Sequence, residues 1–302
     1  MTANGPGAET SASPLFSICM PACNAERTVS EAIQSVLAQS CKDWELVIVD
    51  DGSTDGTAEL ARAFAERDPR VHVISQENMG CGPARGVAVT HARAPLLCRL
   101  DADDLYLPAY LDTMRRFIDA HPGFDIYACN GWRLYADGSR RIYHDGPGFR
   151  RVVSLTTEDL LRESLIFTTA VFSRRAYQLA GGMRPGVYCE DYDFWLRAMS
   201  AGARHIYCPA PLALYRDSGA QMTADVIRLY ESQMRVLRDV VATGRLTQLQ
   251  VEIARHSIRL LAANVRFRRC ALRTLGPRRA DTVFRLAHSL AWVIRPYRLR
   301  RR

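Results

Sequence analysis

Four residues, Asp101-Ala102-Asp103-Asp104, follow directly on the apolar stretch Leu96 to Leu100. Carboxylates crowded at the end of a buried strand repel one another, and a cation between them relieves that repulsion. Oxygen ligands of this kind suit Mg2+ or Mn2+, which bind through one or two protein carboxylates plus substrate phosphates. An Asp-x-Asp at a strand end is therefore a candidate site for a metal-bound diphosphate. Asp-rich turns are also common on protein surfaces, so the motif needs company. Pro21-Ala22-Cys23-Asn24 follows an earlier apolar run, Asp50-Asp51-Gly52-Ser53 follows a second, and Glu190-Asp191 opens a later helical stretch.

The elements that must position these groups alternate in type. Phe16 to Met20 reads as a buried strand. Thr28-Val29-Ser30-Glu31 fits a capping box, and Ala32, Ile33, Val36 and Leu37 follow at helical spacing. Leu46 to Val49 and Val71 to Ile74 are strands separated by a helical stretch from Thr57 to Arg67. Pro83 suits the first turn of a helix reaching about His91, and Leu96 to Leu100 is a fourth strand. Pro108 opens a helix that stops near His121-Pro122-Gly123. This rhythm predicts a Rossmann-like α/β fold, its central sheet mostly parallel, joined by right-handed crossovers and flanked by helices on both faces. Such sheets bind ligands beyond the carboxyl ends of their strands, where the three polar loops fall. In the second half, a hairpin turns at Ala136-Asp137-Gly138-Ser139 and Thr168 to Ser173 is a strand. Helices are expected from Glu190 to Met199, Asp225 to Val241 and Gln248 to Val265, with a basic amphipathic segment from Thr282 to Ile294.

Composition bounds the rest. The chain has 302 residues, 48% of them hydrophobic, enough for a sizeable core. No apolar run approaches the roughly 20 residues of a membrane-spanning helix. Residues 1–14 read as a disordered leader without a basic start or apolar centre. The nine cysteines are odd in number, scattered, and include no Cys-x-x-Cys pair. Neither a zinc site nor a disulfide framework is expected, and a reducing cytoplasm is the natural location. The net charge of +8 is uneven: residues 255–302 hold fourteen arginines against the single acid Asp281, a net of +13, which leaves −5 on residues 1–254. That tail has three readings: contact with the anionic inner face of the cell membrane, nucleic-acid binding, or a helix packed on the body with a frayed basic end. No nucleic-acid module accompanies the charge, so no nucleic-acid partner is expected.

Taken together, the motifs resemble the family 2 glycosyltransferases. The residues that carry the resemblance are Phe16 to Pro21, Val49-Asp50-Asp51-Gly52-Ser53-Thr54-Asp55-Gly56-Thr57, Asn78-Met79-Gly80 with Pro83-Ala84-Arg85, Leu100 to Asp104, and Glu190-Asp191-Tyr192-Asp193-Phe194-Trp195-Leu196-Arg197. They occur in the family's order and cover about Leu15 to Arg216. The resemblance implies a GT-A fold, a nucleotide-sugar donor, most simply a UDP-sugar, a divalent cation, Mg2+ or Mn2+, and inversion at the anomeric carbon. It implies that Asp51 accepts a hydrogen bond from the base, that Pro21, Ala22 and Glu26 line the base and ribose pocket, and that Arg85 sits near the diphosphate. Asp101 would face the ribose or a metal-bound water and join Asp103, the direct ligand, at the cation; Ala102 would lie in the donor site, and Asp104 would orient it. Asp191 matches the catalytic base. The implied division is residues 15–222 as the catalytic domain, with 15–107 the nucleotide half and 108–222 the acceptor half, and 223–302 as a helical extension.

Three positions depart from the family pattern: Cys23 where an aromatic residue is usual, Gly86 where Asn is common, and Ser218 where the segment Tyr215-Arg216-Asp217 is usually followed by His. The acceptor, a glycan or a lipid-linked sugar of cell-surface polysaccharide or glycolipid synthesis, is expected to meet Glu190, Trp132, Trp195, Arg133, Tyr135 and the loop from Asp145 to Arg151. Two other functions fit part of the pattern. A sugar-nucleotide pyrophosphorylase would want a Gly-rich basic loop after the first strand, which Met20 to Ala25 is not. A non-catalytic nucleotide-sugar-binding scaffold would have little reason to keep Asp51, Asp101, Asp103 and Asp191 together.

Overall fold

The structure, a computed structural model, describes residues 13–166, 169–217 and 225–294. Its first half is built from β1 (Phe16–Ala22), α1 (Val29–Leu37), β2 (Trp44–Asp51), α2 (Thr57–Ala65), β3 (Val71–Gln76), α3 (Cys81–His91), β4 (Leu96–Arg99), β5 (Leu105–Tyr106) and α4 (Tyr110–Ala120). The second half holds β6 (Ile126–Tyr135), β7 (Arg140–Ile142), α5 (Thr157–Arg162), β8 (Ala170–Ser173), α6 (Arg174–Ala180), α7 (Glu190–Ser200), β9 (His205–Asp217), α8 (Val226–Ala242) and α9 (Gln248–Ile294).

The strands form one sheet in the order β3-β2-β1-β4-β8-β6-β9-β5, with β7 added to β6. The first four strands are parallel, as the βα rhythm requires. The second half is mixed: β8 runs antiparallel to both β4 and β6, while β6 and β9 are parallel through a bulge near Asn130. Both faces are covered, so the parallel strands are continuous apolar runs. Cys19, Val47, Val49 and Leu97 face a core shared with α3, α6, α7 and α8. Ile18, Met20, Leu46, Ile48 and Cys98, one residue out of phase, face a second core under α1 and α4.

Local chemistry differs from expectation in three places. Thr28 makes no capping bond into α1; its hydroxyl donates to the Ala25 carbonyl instead, and Glu31 pairs with Arg216 of β9. A reciprocal capping box does occur, at Thr156 and Asp159 of α5. The two helical segments expected from Gln248 to Val265 and from Thr282 to Ile294 are one helix, α9, continuous across Gly276-Pro277. Proline there removes one backbone N–H without ending the helix. No helix among the described residues is long and apolar enough to cross a membrane. The leader, apart from residues 13 and 14, and the last eight residues, 295–302, lie outside the described residues, as does Ser218.

Candidate active site

The carboxyl ends of β1 and β2 are laced together. At the end of β1, Pro21 and Ala22 are still strand residues paired with Val49 and Asp50, and both are buried. The surface there belongs to Cys23 and Asn24, which are exposed, so any lining of the base and ribose pocket by Pro21 and Ala22 is indirect. Asn24 takes a left-handed φ of 50°, and its Oδ1 accepts from the Thr54 amide at 2.9 Å while its own amide donates to Ser53 Oγ at 3.0 Å. Glu26 does not turn into a pocket. Its amide donates to Asp55 at 3.1 Å and its carboxylate lies at the start of α2, accepting from the Gly56 amide at 3.4 Å, where a negative charge suits the helix dipole.

Asp51 is 2% exposed at the end of β2. Its Oδ1 accepts from Gln76 Nε2 at 2.7 Å and the Met79 amide at 2.9 Å, and its Oδ2 from the Gly80 amide at 2.8 Å. Three of the roughly four acceptor positions of a carboxylate are thereby filled. Asp51 fixes the loop after β3, and one acceptor position is left for a ligand. Gly52 is required beside it: its φ is 71°, and a Cβ would come within 2.9 Å of the Asn78 amide nitrogen.

One residue past Gly80, the chain enters a buried cluster of charge. Arg85, fully buried on α3, forms an ion pair with Asp101 and donates to the Cys19 carbonyl at 3.2 Å. Its Nη2 is also 3.6 Å from Glu190 Oε1. Glu190 accepts from Arg99 Nη2 at 2.8 Å, and the Cys81 thiol is 3.7 Å away. The first turn of α7 can approach α3 this closely because residue 82 is glycine; a Cβ there would lie 3.3 Å from Glu190 Cβ and 3.1 Å from the Arg184 carbonyl. Beyond Asp101, Ala102 is buried, Asp103 is partly exposed, and buried Asp104 accepts from the Arg216 amide at 3.1 Å.

Asp191 is the second residue of α7 and is partly exposed. Burial and the adjacent Glu190 charge push its carboxyl up to about 6, against the opposing pull of Arg99. A carboxylate of that strength is a competent general base near neutral pH. The rest of the motif turns the other way. Asp193 is 1% exposed and is clamped by Arg184 and by Arg197, the latter at 2.6 Å. Arg184 continues to Asp239 of α8 at 3.1 Å. The motif therefore divides into a cleft end, Glu190 and Asp191, and a structural end, Asp193 and Arg197.

Two expected acceptor contacts are corrected. Trp195 is 1% exposed and packs edge-on against Phe172 and Phe194, with ring centroids 5.7 and 4.8 Å away; it is core. Glu190 is engaged by Arg99 and Arg85 rather than presented to solvent. Trp132 and Arg133 are adjacent on β6 and so face opposite sides of the ribbon. Arg133 lies between the rings of Tyr143 and Tyr215, 5.4 and 5.8 Å from their centroids. Tyr143 feels both Asp191 and Asp104, which places the Arg133 side, not the Trp132 side, toward Asp191. Tyr143 and Tyr215 were not anticipated, since alternation in so bulged a strand cannot be phased from sequence. Arg99 was also missed, although a lone arginine in the apolar run of β4 was the available signal.

Asp101 and Asp103 supply hard oxygen donors of the kind Mg2+ or Mn2+ takes. Asp101 already serves Arg85, and among the described residues no group of three or more acidic, His or Cys side chains is placed to hold a metal. A cation here fits only if donor phosphates and water complete its shell, which is the usual state of a diphosphate-bound Mg2+.

Comparison with known proteins follows this geometry. Residues 17–179 match the family model described as Glycosyl transferase family 2. The chain is 31% identical over 259 residues to the succinoglycan biosynthesis protein ExoU of Rhizobium meliloti (strain 1021), covering 79% of this chain and 73% of that one. It is 31% identical over 199 residues to the chondroitin synthase of Escherichia coli, covering 64% of this chain and 28% of that one. Among solved structures it is similar to S. aureus TarS 1-349 in complex with UDP-GlcNAc, with a TM-score of 0.65 at 18% identity, covering 80% and 71% of the two chains. It is also similar to the mannosyltransferase PcManGT from Pyrobaculum calidifontis in complex with GDP-Man and Mn2+, with a TM-score of 0.61 at 20% identity, covering 95% and 83%. The mixed, curled sheet is that of the GT-A transferases, and the chain belongs to glycosyl transferase family 2.

Proposed function

We propose that this chain transfers a sugar, with inversion, from a nucleoside-diphosphate sugar to a hydroxyl acceptor in the synthesis of a cell-surface polysaccharide or glycolipid. The observation that carries the reading is the position of Asp191: on the first turn of α7, next to a Glu190 that is tied through Arg85 to Asp101 at the end of β4. This connection supports a reading in which the base and a diphosphate-handling carboxylate serve one site. UDP is the nucleotide favoured, and the names of relatives such as the succinoglycan protein support a polysaccharide product.

In this reading Asp51 and the loop it fixes receive the base, and Asp101 and Asp103 lie under the diphosphate. When bound, Mg2+ or Mn2+ held by Asp103 and Asp101 would offset the charge gathering on the departing nucleoside diphosphate. An Asp191 oxygen accepts the proton of the acceptor hydroxyl as that oxygen bonds to the anomeric carbon. The bond from that carbon to the diphosphate breaks on the opposite face, so the configuration inverts. Arg133, Tyr143 and Tyr215 form the acceptor wall. Residues 15–107 act as the nucleotide half, 108–222 as the acceptor half and 223–302 as an extension whose basic end meets an anionic membrane surface on the cytoplasmic side.

The test is release of UDP from UDP-GlcNAc and other UDP-sugars, with and without a candidate glycan acceptor, in Mn2+ or in EDTA. Acceptor-stimulated UDP release that vanishes in Asp191→Asn supports the reading. Full activity in that variant removes Asp191 as the base.

A further inference from the structure

Arg99 is the one charged residue in β4, and it is among the largest fully buried side chains of the described structure. Its Nη2 donates to Glu190 Oε1 at 2.8 Å. Its guanidinium faces the indole of Trp195, with 5.7 Å between its central carbon and the ring centroid. Its Nε and Nη1 are buried without a protein acceptor. Placing a charge there is costly unless it is well paired, and half of the guanidinium fork goes unused. Helix anchoring alone would be served at less cost by an apolar side chain.

What Arg99 does hold is Glu190, and Glu190 is shared. Arg85 Nη2 approaches the same carboxylate oxygen and also pairs with Asp101. An unbroken ionic series therefore runs Asp101, Arg85, Glu190, Arg99; it leaves the end of β4 at Asp101, reaches the first turn of α7 at Glu190 and returns to β4 at Arg99. Asp191 is the next residue on that turn.

We infer that Arg99 is a positioning residue for the transfer reaction, holding the Glu190 side chain in place and thereby setting both where Asp191 points and what charge stands beside it. The inference rests on the reading of Asp191 as the base. The groups that bear on Asp191 are Glu190 and Cys189 on its own turn, Arg99 and Asp101 at the end of β4, and Tyr143 after β7. Arg85 and Cys81 of α3 reach it through Glu190. The two nearest charges act in opposite senses: Glu190 holds the proton on Asp191, and Arg99 draws it off.

This opposition gives a test that needs no substrate. The full-length protein, labelled with 13C at the aspartate carboxyl carbons, is titrated by NMR, the Asp191 signal being identified by its loss in Asp191→Asn. In R99M the midpoint moves to higher pH, because the cation that lowers it is lost while Arg85 still pairs with Glu190. In E190Q it moves to lower pH. In R99K, which keeps the charge and one hydrogen bond, it stays near the wild-type value. Shifts of about half a unit or more are expected for charges this close. In parallel, hydrolysis of UDP-GlcNAc with Mn2+ falls about tenfold or more in R99M and its acid limb follows the NMR order, while UDP affinity changes less than about threefold. A melting temperature lowered in R99M with an unmoved Asp191 midpoint overturns the inference and leaves Arg99 a packing residue. If R99M does not fold, equal midpoints in R99K and E190Q overturn it equally. If the midpoints move as expected but Asp191→Asn keeps full activity, the base assignment fails while the ionic series stands.

Discussion

The Asp51 carboxylate holds the backbone of Gly80, its Oδ2 accepting the Gly80 amide at 2.8 Å while Oδ1 accepts the Met79 amide at 2.9 Å. A residue read from sequence as a ligand contact is thus also the anchor of the loop that leads into α3. Asp51→Asn turns one acceptor into a donor that meets a backbone N–H. It is expected to cost about 1–3 kcal/mol of stability and to weaken UDP binding about tenfold or more through the loosened loop. Calorimetric titration with UDP and Mn2+, paired with thermal melts, checks both. Wild-type UDP affinity in a destabilised variant would confine Asp51 to the loop.

Asp191→Asn should lose about 10²–10⁴-fold in transfer, the usual worth of a positioned general base, and yet gain stability. The sign follows from linkage. The folded carboxyl titrates at about 6 rather than its ordinary 3.8, so between those values the folded state holds more protons than the unfolded state. Asp191 therefore makes stability fall as pH rises through that window, and the deficit persists above it. The Asn variant should melt higher than wild type at pH 7.5, with little difference at pH 3.5. In the wild-type enzyme the transfer rate should rise with pH through about 6. A flat rate profile from pH 5 to 8 would contradict this.

Asp193 sits two residues further along α7 and predicts the reverse. It is buried between Arg184 and Arg197, so Asp193→Ala leaves two cations without their carboxylate. A loss of about 3–5 kcal/mol is expected, read by urea unfolding, with any folded fraction keeping its acid limb unshifted. Neighbouring acids of one motif would then separate cleanly, one costing activity and the other costing the fold.

Removal of divalent metal offers a fourth measurement. In the proposed reading Asp103 and the Arg85-bound Asp101 hold the cation, and among the described residues no group of three such side chains is placed to hold a metal, so it should bind weakly alone and tightly with a diphosphate. Mn2+ affinity should rise about tenfold or more in the presence of UDP, and the effect should vanish in Asp103→Asn. Equal Mn2+ affinity with and without UDP would disprove a shared site.

Much of this was legible in the chain. The parallel half of the sheet followed from unbroken apolar runs alternating with helical spacing, because strands covered on both faces need no alternation. The Asp-rich ends of β2 and β4 and the Glu190-Asp191 pair were visible because carboxylates at element ends are conspicuous. Partners were not visible. Nothing local says that Glu190 turns toward Arg99, 91 residues earlier, or that Trp195 is sealed beneath it. Register was equally hidden where β6 bulges at Asn130, so Trp132 and Arg133 were both expected at the acceptor although adjacent strand residues face opposite sides. Thr28 shows the limit of short motifs: the capping-box spacing is present, but the Ala25 carbonyl takes the hydroxyl.

The junction between β4 and α7 has a consequence for how such enzymes diversify. In the proposed reading, donor handling and proton removal fall to stretches about ninety residues apart, joined by the ion pairs of Arg85, Arg99 and Glu190. A chimera that exchanges everything between β5 and α7 for the matching stretch of a relative must therefore keep those three residues and Gly82 as well as the pairing of β8 with β4 and of β6 with β9.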